Sequence, residues 1–359
     1  MSTAFTYRGI ATYHQKEFAV KDIHIFVKRI GKTAFVICGN TAWSVVGEHI
    51  LSSLRSVGIK AIVAPFKGFC TMSHIDLLYE KFHQSGADFL IGVGGGRAID
   101  VAKGVALKSG APFILVPTSV SQCACCANVI VMYEDNGDPS PTALHLDHAA
   151  YAVIVDTDII VRHCPARMFA TGIADAMAKL PEIQFLRAAT EGWEDSFFSD
   201  QSYQMGIDAY NLYQQFAAEA YQDVIKKNIT NTVERLITTN LLLTGFASAM
   251  AAGTRQIAFA HNLYYAVCLN NKEQVLRYMH GEVVSAALTW QFAINGASHA
   301  EIMKCRALLD SIGMPTSVKD LGIVSDERFR QNVLSYCRSS MAYLSDEHIE
   351  KAKNCMDVL

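Results

Sequence analysis

Residues 88–106 read DFLIGVGGGRAIDVAKGVA: an apolar run, three consecutive glycines, then small and apolar residues at helical spacing. A buried strand that turns through Gly94, Gly95 and Gly96 into a helix is the opening of a βαβ unit. Glycine lets a backbone approach a ligand closely, and the N–H groups of a helix start attract a phosphate. The spacing is not that of G-x-G-x-x-G, so a tight structural turn stands as the alternative to a nucleotide loop.

The same alternation continues on both sides. TAFVICGN (33–40), KAIVAPF (60–66), PFILVPT (112–118) and YAVIVD (151–156) read as further buried strands. AWSVVGEHILSSLRSVG (42–58) and SHIDLLYEKFHQSG (73–86) carry apolar residues at helical spacing between them. Strands alternating with helices of that length predict a parallel sheet built from βαβ units. Residues 128–145 differ: two extended runs flank Asp135-Asn136-Gly137, which predicts a β-hairpin. Beyond Pro165 strand-type runs give way to helical patterns over 166–189, 201–226, 231–252, 281–294 and 301–312, and GMPTSVKDLGI (313–323) breaks the series before two last helices. The expected organisation is an α/β nucleotide-binding domain over 1–163 and an all-α domain over 164–359.

Composition narrows the class. With 51% hydrophobic and 18% charged residues and only 8 prolines the chain is a folded protein rather than a disordered one. A formal net charge of -3 without a basic run argues against a nucleic-acid partner. The apolar stretch 236–253 is interrupted by threonines, asparagine, serine and glycines, which suits a buried helix and not a membrane span. MSTAFTYRGIATYHQ lacks the basic and apolar regions of a signal peptide. Ten cysteines between Cys38 and Cys355 share no repeating frame and are expected as reduced thiols in a cytoplasmic protein. A small-molecule substrate and a homo-oligomer are expected.

The helical half holds three separated ligand types: Asp175 in TGIADAMAK, His261 in RQIAFAHN and His280 in LRYMHGEVV. One carboxylate and two imidazoles make a catalytic divalent-metal site with an open position, Zn2+ favoured over Fe2+. No H-E-x-x-H spacing supports them, and a core histidine is the alternative for each. HLDH (145–148) is a weaker candidate, expected on the surface.

In combination, Gly-Gly-Gly-x-x-x-Asp, Val-Pro-Thr before a hairpin, an Asp early in the helical half and two later histidines resemble the iron-containing (group III) alcohol dehydrogenase superfamily. Its glycerol-dehydrogenase branch is the most similar, from the strand at Phe35 to the break at 313–323. The resemblance implies a dehydroquinate-synthase-like fold and reversible hydride transfer between a nicotinamide cofactor, NADP(H) or NAD(H), and a CH–OH carbon, assisted by one divalent metal. It also implies roles by position. Gly94, Gly95, Gly96, Arg97 and Asp100 fall at the pyrophosphate loop and helix start. Thr118, Ser119 and Ser121 fall in the turn lining the nicotinamide nucleotide, and Val129 and Tyr133 on the hairpin edge facing it. Asp175, His261 and His280 match the metal ligands. Four-ligand relatives have a His four positions after the Asp; Lys179 stands there, which implies a three-ligand site.

Three departures bear on substrate and cofactor. Glycerol dehydrogenases end the strand FVICGN-equivalent with a ribose-binding Asp; here Gly39 and Asn40 follow one another, so a 2′-phosphate meets no repulsion and NADP(H) is expected at least as readily as NAD(H). They also carry a substrate-binding Asp where this chain has Cys123, in SQCACC, and a neutral thiol accepts hydrogen bonds poorly. Lys179, one helical turn from Asp175, adds a cation, unless it forms a surface ion pair instead. Hydroxycarboxylate dehydrogenases of the superfamily are similar at these places, so a 2-oxo or 2-hydroxy acid is the leading substrate class, a glycerol-type polyol the alternative, and a dehydroquinate-synthase-like lyase or cyclase a third. Cys123, Cys125 and Cys126 lack zinc-clamp spacing, and Cys123 reads as a small neutral pocket wall rather than a metal or redox element.

Overall fold

The computed structural model describes residues 9–191, 196–251 and 256–359. Its strands in chain order are β1 (Tyr13–Lys16), β2 (Thr33–Gly39), β3 (Lys60–Phe66), β4 (Phe89–Gly94), β5 (Phe113–Pro117), β6 (Val129–Ile130), β7 (Leu144–His145) and β8 (Ala152–Asp156). Six of them form one parallel sheet in the order β1-β8-β5-β4-β2-β3. The five apolar runs of the sequence are strands β2, β3, β4, β5 and β8, each within one or two residues of its expected bounds. β4, β5 and β8 are buried throughout, as strands of a parallel sheet covered on both faces must be. Helices α1 (Ile23–Val27), α2 (Asn40–Arg55), α3 (Met72–Ser85) and α4 (Gly96–Ser109) lie between the strands.

Alternate residues of the strands feed two cores. Val36, Ile91 and Ile114 face one, with Val46 and Ile50 of α2. Phe35, Leu90 and Leu115 face the other, which runs on into the helical half through Phe169 and Trp290. The hairpin is present, but its ladder is short: β6 pairs antiparallel with β7, and Tyr133 bridges Pro139 around the predicted turn.

After a short helical turn at Ile159–His163, the described residues contain helices and no further strand: α5 (Ala166–Met177), α6 (Lys179–Ala189), α7 (Phe197–Ile225), α8 (Asn231–Thr238), α9 (Thr244–Met250), α10 (Phe259–Asn270), α11 (Lys272–Arg277), α12 (His280–Ala286), α13 (Leu288–Ile294), α14 (His299–Ser311), α15 (Glu327–Ser340) and α16 (Asp346–Asn354). Three predicted helices are therefore interrupted. The run 166–189 divides at Ala178, 281–294 divides at Ala287, and 231–252 carries a π-helical segment at Thr239–Leu243. Ala252, the predicted end of that run, lies outside the described residues, as do the first eight residues on which the signal-peptide reading partly rests. No helix among the described residues is long and apolar enough to cross a membrane.

Candidate active site

Asp175 closes the last turn of α5, His261 lies in the first turn of α10 and His280 opens α12. Their ligand atoms come within 4.8 Å of one another. Asp175 Oδ1 lies 3.0 Å from His280 Nε2 and 3.5 Å from His261 Nε2. Neither contact is aligned as a hydrogen bond, and this buried oxygen has no donor. An orphaned carboxylate oxygen facing two imidazole nitrogens is costly unless a cation joins them, so the donor set fits a divalent metal. Burial works against the charged forms here, but the imidazoles hold the Asp175 carboxyl far below the usual range. For His261 burial is likewise outweighed, by the Glu182 and Asp175 carboxylates, which raise it to about 9. Arg167 steadies the turn that carries His280: it pairs with Glu282 at 2.5 Å, and Glu282 accepts from the Met279 N–H at 2.8 Å, fixing the start of α12.

One cavity brings together Asp175, His261, His280, Lys179, Cys123, Arg97, Asp100, Val129 and Tyr133. A second holds Gly39, Asn40, Gly94, Gly95, Thr118 and Ser119. Glycine is needed at Gly94, where φ is +147°. No side chain caps the start of α4, which leaves that end of the helix open to an anion. Gly96 is crowded instead: a Cβ there would sit 1.4 Å from Gln122 Nε2. Ser121 lies beside the second cavity, its hydroxyl 3.3 Å from that of Ser119. These features fit an extended dinucleotide, its phosphates at the glycine loop.

Two residues expected at the pyrophosphate loop and helix start do lie in the first turns of α4, and they line the metal-side cavity rather than the glycine-loop cavity. Arg97 and Asp100 are three apart on α4, so one helix face turns both into the metal-side cavity. Asp100 is paired there with the fully buried Lys103, whose ammonium reaches Asp100 Oδ1 at 3.0 Å and the Ala124 carbonyl at 2.9 Å, and also bonds the Val129 carbonyl. Arg97 stacks 4.1 Å from the Phe69 ring. His148 of the weaker candidate HLDH bonds Asp147 and the Ala111 carbonyl, and joins no ligand cluster.

Residues 16–165 match the family model for iron-containing alcohol dehydrogenase. A glycerol dehydrogenase of Pseudomonas putida is 28% identical over 320 residues, 88% of this chain and 84% of that one. Over residues 16–165 the chain carries the domain of the iron-containing alcohol dehydrogenase family. A glycolaldehyde reductase of Halobacterium salinarum is 25% identical, covering 92% of this dehydrogenase and 88% of its own length. In fold the enzyme is similar to a glycerol dehydrogenase structure from Schizosaccharomyces pombe, with TM-score 0.85 at 20% identity, covering 99% of this chain and 91% of that one. A probable glycerol dehydrogenase from Sinorhizobium meliloti gives TM-score 0.83 at 24% identity, with 98% and 97% covered.

The dehydrogenase has neighbours at this site that its sequence did not announce. Lys179 is 6% exposed, which removes the surface ion pair as its role. Its ammonium donates to Gln256 Oε1 at 2.6 Å, and Gln256 donates in turn to Ser248. Burial pushes the Cys123 thiol up, so the wall opposite is neutral. Tyr264 packs 4.2 Å from the His280 ring and meets the Tyr133 hydroxyl at 3.3 Å, tying the hairpin to α10 across the cavity. The i, i+3 pair Asp100 and Lys103 was open to reading on a helix; Gln256 and Tyr264 carried no signal in spacing.

Proposed function

We propose that the enzyme oxidises or reduces a small, glycerol-type polyol or hydroxycarbonyl compound at the Asp175–His261–His280 centre. The observation that carries this reading is the orphaned Asp175 oxygen, which faces two imidazoles in the wall of the cavity lined by the start of α4 and the hairpin. The names of the relatives, glycerol dehydrogenase and glycolaldehyde reductase, favour a polyol over the 2-oxo acid that the departures in sequence put first.

When bound, a divalent ion supplies Lewis acidity to the substrate oxygen and the nicotinamide supplies the hydride acceptor. The chain's own residues do the rest. Asp175, His261 and His280 would hold the ion. Lys103 ties α4 to the Ala124 carbonyl of the cysteine turn and to β6, so the cavity wall beneath the hairpin is rigid. Cys123 and Tyr265 line the same cavity and would shield the reacting carbon from water.

One observation keeps the acid reading in play. Among the described residues the Lys179 ammonium bonds Gln256 alone, leaving donor capacity for a carboxylate in the cavity. A screen of the Zn2+-loaded enzyme against glycerol, dihydroxyacetone, 2-oxobutyrate and 2-oxoglutarate separates the two. Turnover of glycerol and dihydroxyacetone is expected; activity confined to the oxo acids overturns the polyol reading. In that case Lys179→Met should raise KM for the acid tenfold to hundredfold, roughly the worth of one charge-assisted hydrogen bond.

The cofactor preference follows from the second cavity. No carboxylate lines it at the end of β2, and α2 begins at Asn40 with no side chain capping its N–H groups. A 2′-phosphate therefore meets a helix N-terminus where a carboxylate would repel it. The enzyme should use NADPH at least as efficiently as NADH with one shared carbonyl substrate. A measured preference for NADH in kcat/KM refutes this assignment of Gly39 and Asn40.

A further inference from the structure

Helix α10 carries His261 in its first turn, yet its N-cap residue is Ala258, which offers no capping side chain. Two buried side chains from other helices cap it instead. Gln291 of α13 accepts from the N–H groups of Phe259 and Ala260 at 2.8 and 3.2 Å. Glu182 of α6 accepts from those of Ala258 and His261, through Oε1, at 2.8 and 2.9 Å. The other oxygen of Glu182 lies 2.5 Å from His261 Nδ1.

Three donors thus converge on one fully buried carboxylate, the arrangement of an acceptor-only group. Its partner nitrogen must carry a proton, so in the neutral ring Nδ1 is the protonated nitrogen and Nε2 presents its lone pair. Nε2 is the nitrogen that faces Asp175. Gln291 supplies the same kind of cap without touching the imidazole, so the two side chains separate helix capping from ring orientation.

We propose that Glu182 is a positioning residue of the metal centre: one carboxylate caps α10 from a neighbouring helix and locks His261 in the tautomer that can bind a divalent cation through Nε2. The proposal rests on reading Asp175, His261 and His280 as the metal ligands. Glu182→Gln keeps the size of the side chain but has only one acceptor oxygen. Either its NH2 group replaces Oε2 and donates to Nδ1, driving the proton to Nε2, or the amide flips and turns its donor toward the N–H groups of α10. The first outcome spares the cap and blocks the ligand nitrogen.

The test is the Zn2+ affinity of the full-length chain, measured by competition with a chelator without nucleotide or substrate, beside the melting temperature of the metal-free protein. Glu182→Gln should weaken Zn2+ binding tenfold to hundredfold, roughly the span for loss of an orienting partner. Gln291→Met should lower the melting temperature while retaining the Zn2+ affinity of the unaltered chain. Unchanged affinity in Glu182→Gln overturns the proposal, and so does an equal loss in Gln291→Met, because capping alone then accounts for it. Failure of the unaltered chain to bind Zn2+ refutes the ligand reading itself. Should Glu182→Gln not fold, the 15N imidazole spectrum of the unaltered metal-free chain, recorded well above pH 9 where the His261 ring is neutral, decides, with His261 assigned by the loss of its signals in His261→Gln. A proton on Nδ1 supports the assignment to Glu182, and a proton on Nε2 overturns it.

Discussion

Asp175→Asn should give a folded chain that no longer retains Zn2+ and turns over at least roughly a thousandfold more slowly, the worth of several kcal/mol of Lewis-acid stabilisation. The substitution is isosteric, so packing of the buried turn that ends α5 is kept. What it removes is the one anion of the trio. Both imidazole Nε2 atoms lie near its Oδ1, at 3.0 and 3.5 Å, and the two rings stand with centroids 5.3 Å apart. With an amide in that place, two neutral ligands remain and no charge balances a divalent ion. Treating the unaltered enzyme with a chelator should produce the same loss, and added Zn2+ should reverse it there but not in Asp175→Asn. A chelated enzyme that works at its original rate would rule out any role for a metal.

The legibility of this molecule in its sequence follows its physics. The strands that lie inside the sheet announced themselves because burial on both faces demands uninterrupted apolar runs. β1 did not: YHQK is an edge strand paired with β8 alone, half-buried, and its polar residues carry no periodic signal. α10 escaped for a different reason. A helix normally signals its start with a local cap, and this one borrows Glu182 and Gln291 from α6 and α13. The same absence hid the support of His261. The three candidate ligands themselves have no spacing to betray them, because three separate helices bring them together; only the order of motifs along the chain pointed to the set. For Arg97 and Asp100 the loop motif located the helix start but not the facing: a helix turns residues three apart onto one face, and that face lines the metal-side cavity.

Gly172→Ala should cost roughly 3 kcal/mol or more of folding stability, at or beyond the upper end for overpacking a core, because the clash is with backbone. A Cβ at Gly172 would lie 1.8 Å from the Val120 carbonyl oxygen and 3.1 Å from Asn240 Nδ2. Val120 belongs to the turn that follows β5, between Ser119 and Ser121, and it is buried. α5 therefore rests directly on the turn that lines the glycine-loop cavity, with no side chain between them. On its other side α12 comes equally close: a Cβ at Gly281 would lie 2.4 Å from the Thr171 carbonyl and 3.0 Å from Asp175 Cβ. Asp175 is three residues beyond Gly172 on the same helix, so whatever moves α5 off the turn also moves the carboxylate away from His280. Stability and metal affinity should fall together in Gly172→Ala, measured by denaturant unfolding and chelator competition. Gly39→Ala is the control for stability, since its φ is -72° and no atom lies within 4 Å of its Cβ; it should unfold within about 0.5 kcal/mol of the unaltered chain. If Gly172→Ala matched that control, the two halves would be able to slide apart without loss. The contact between α5 and the cofactor turn would then be incidental. If it falls as expected, that contact is what registers the helical half, and the ligand it carries, against the nucleotide half.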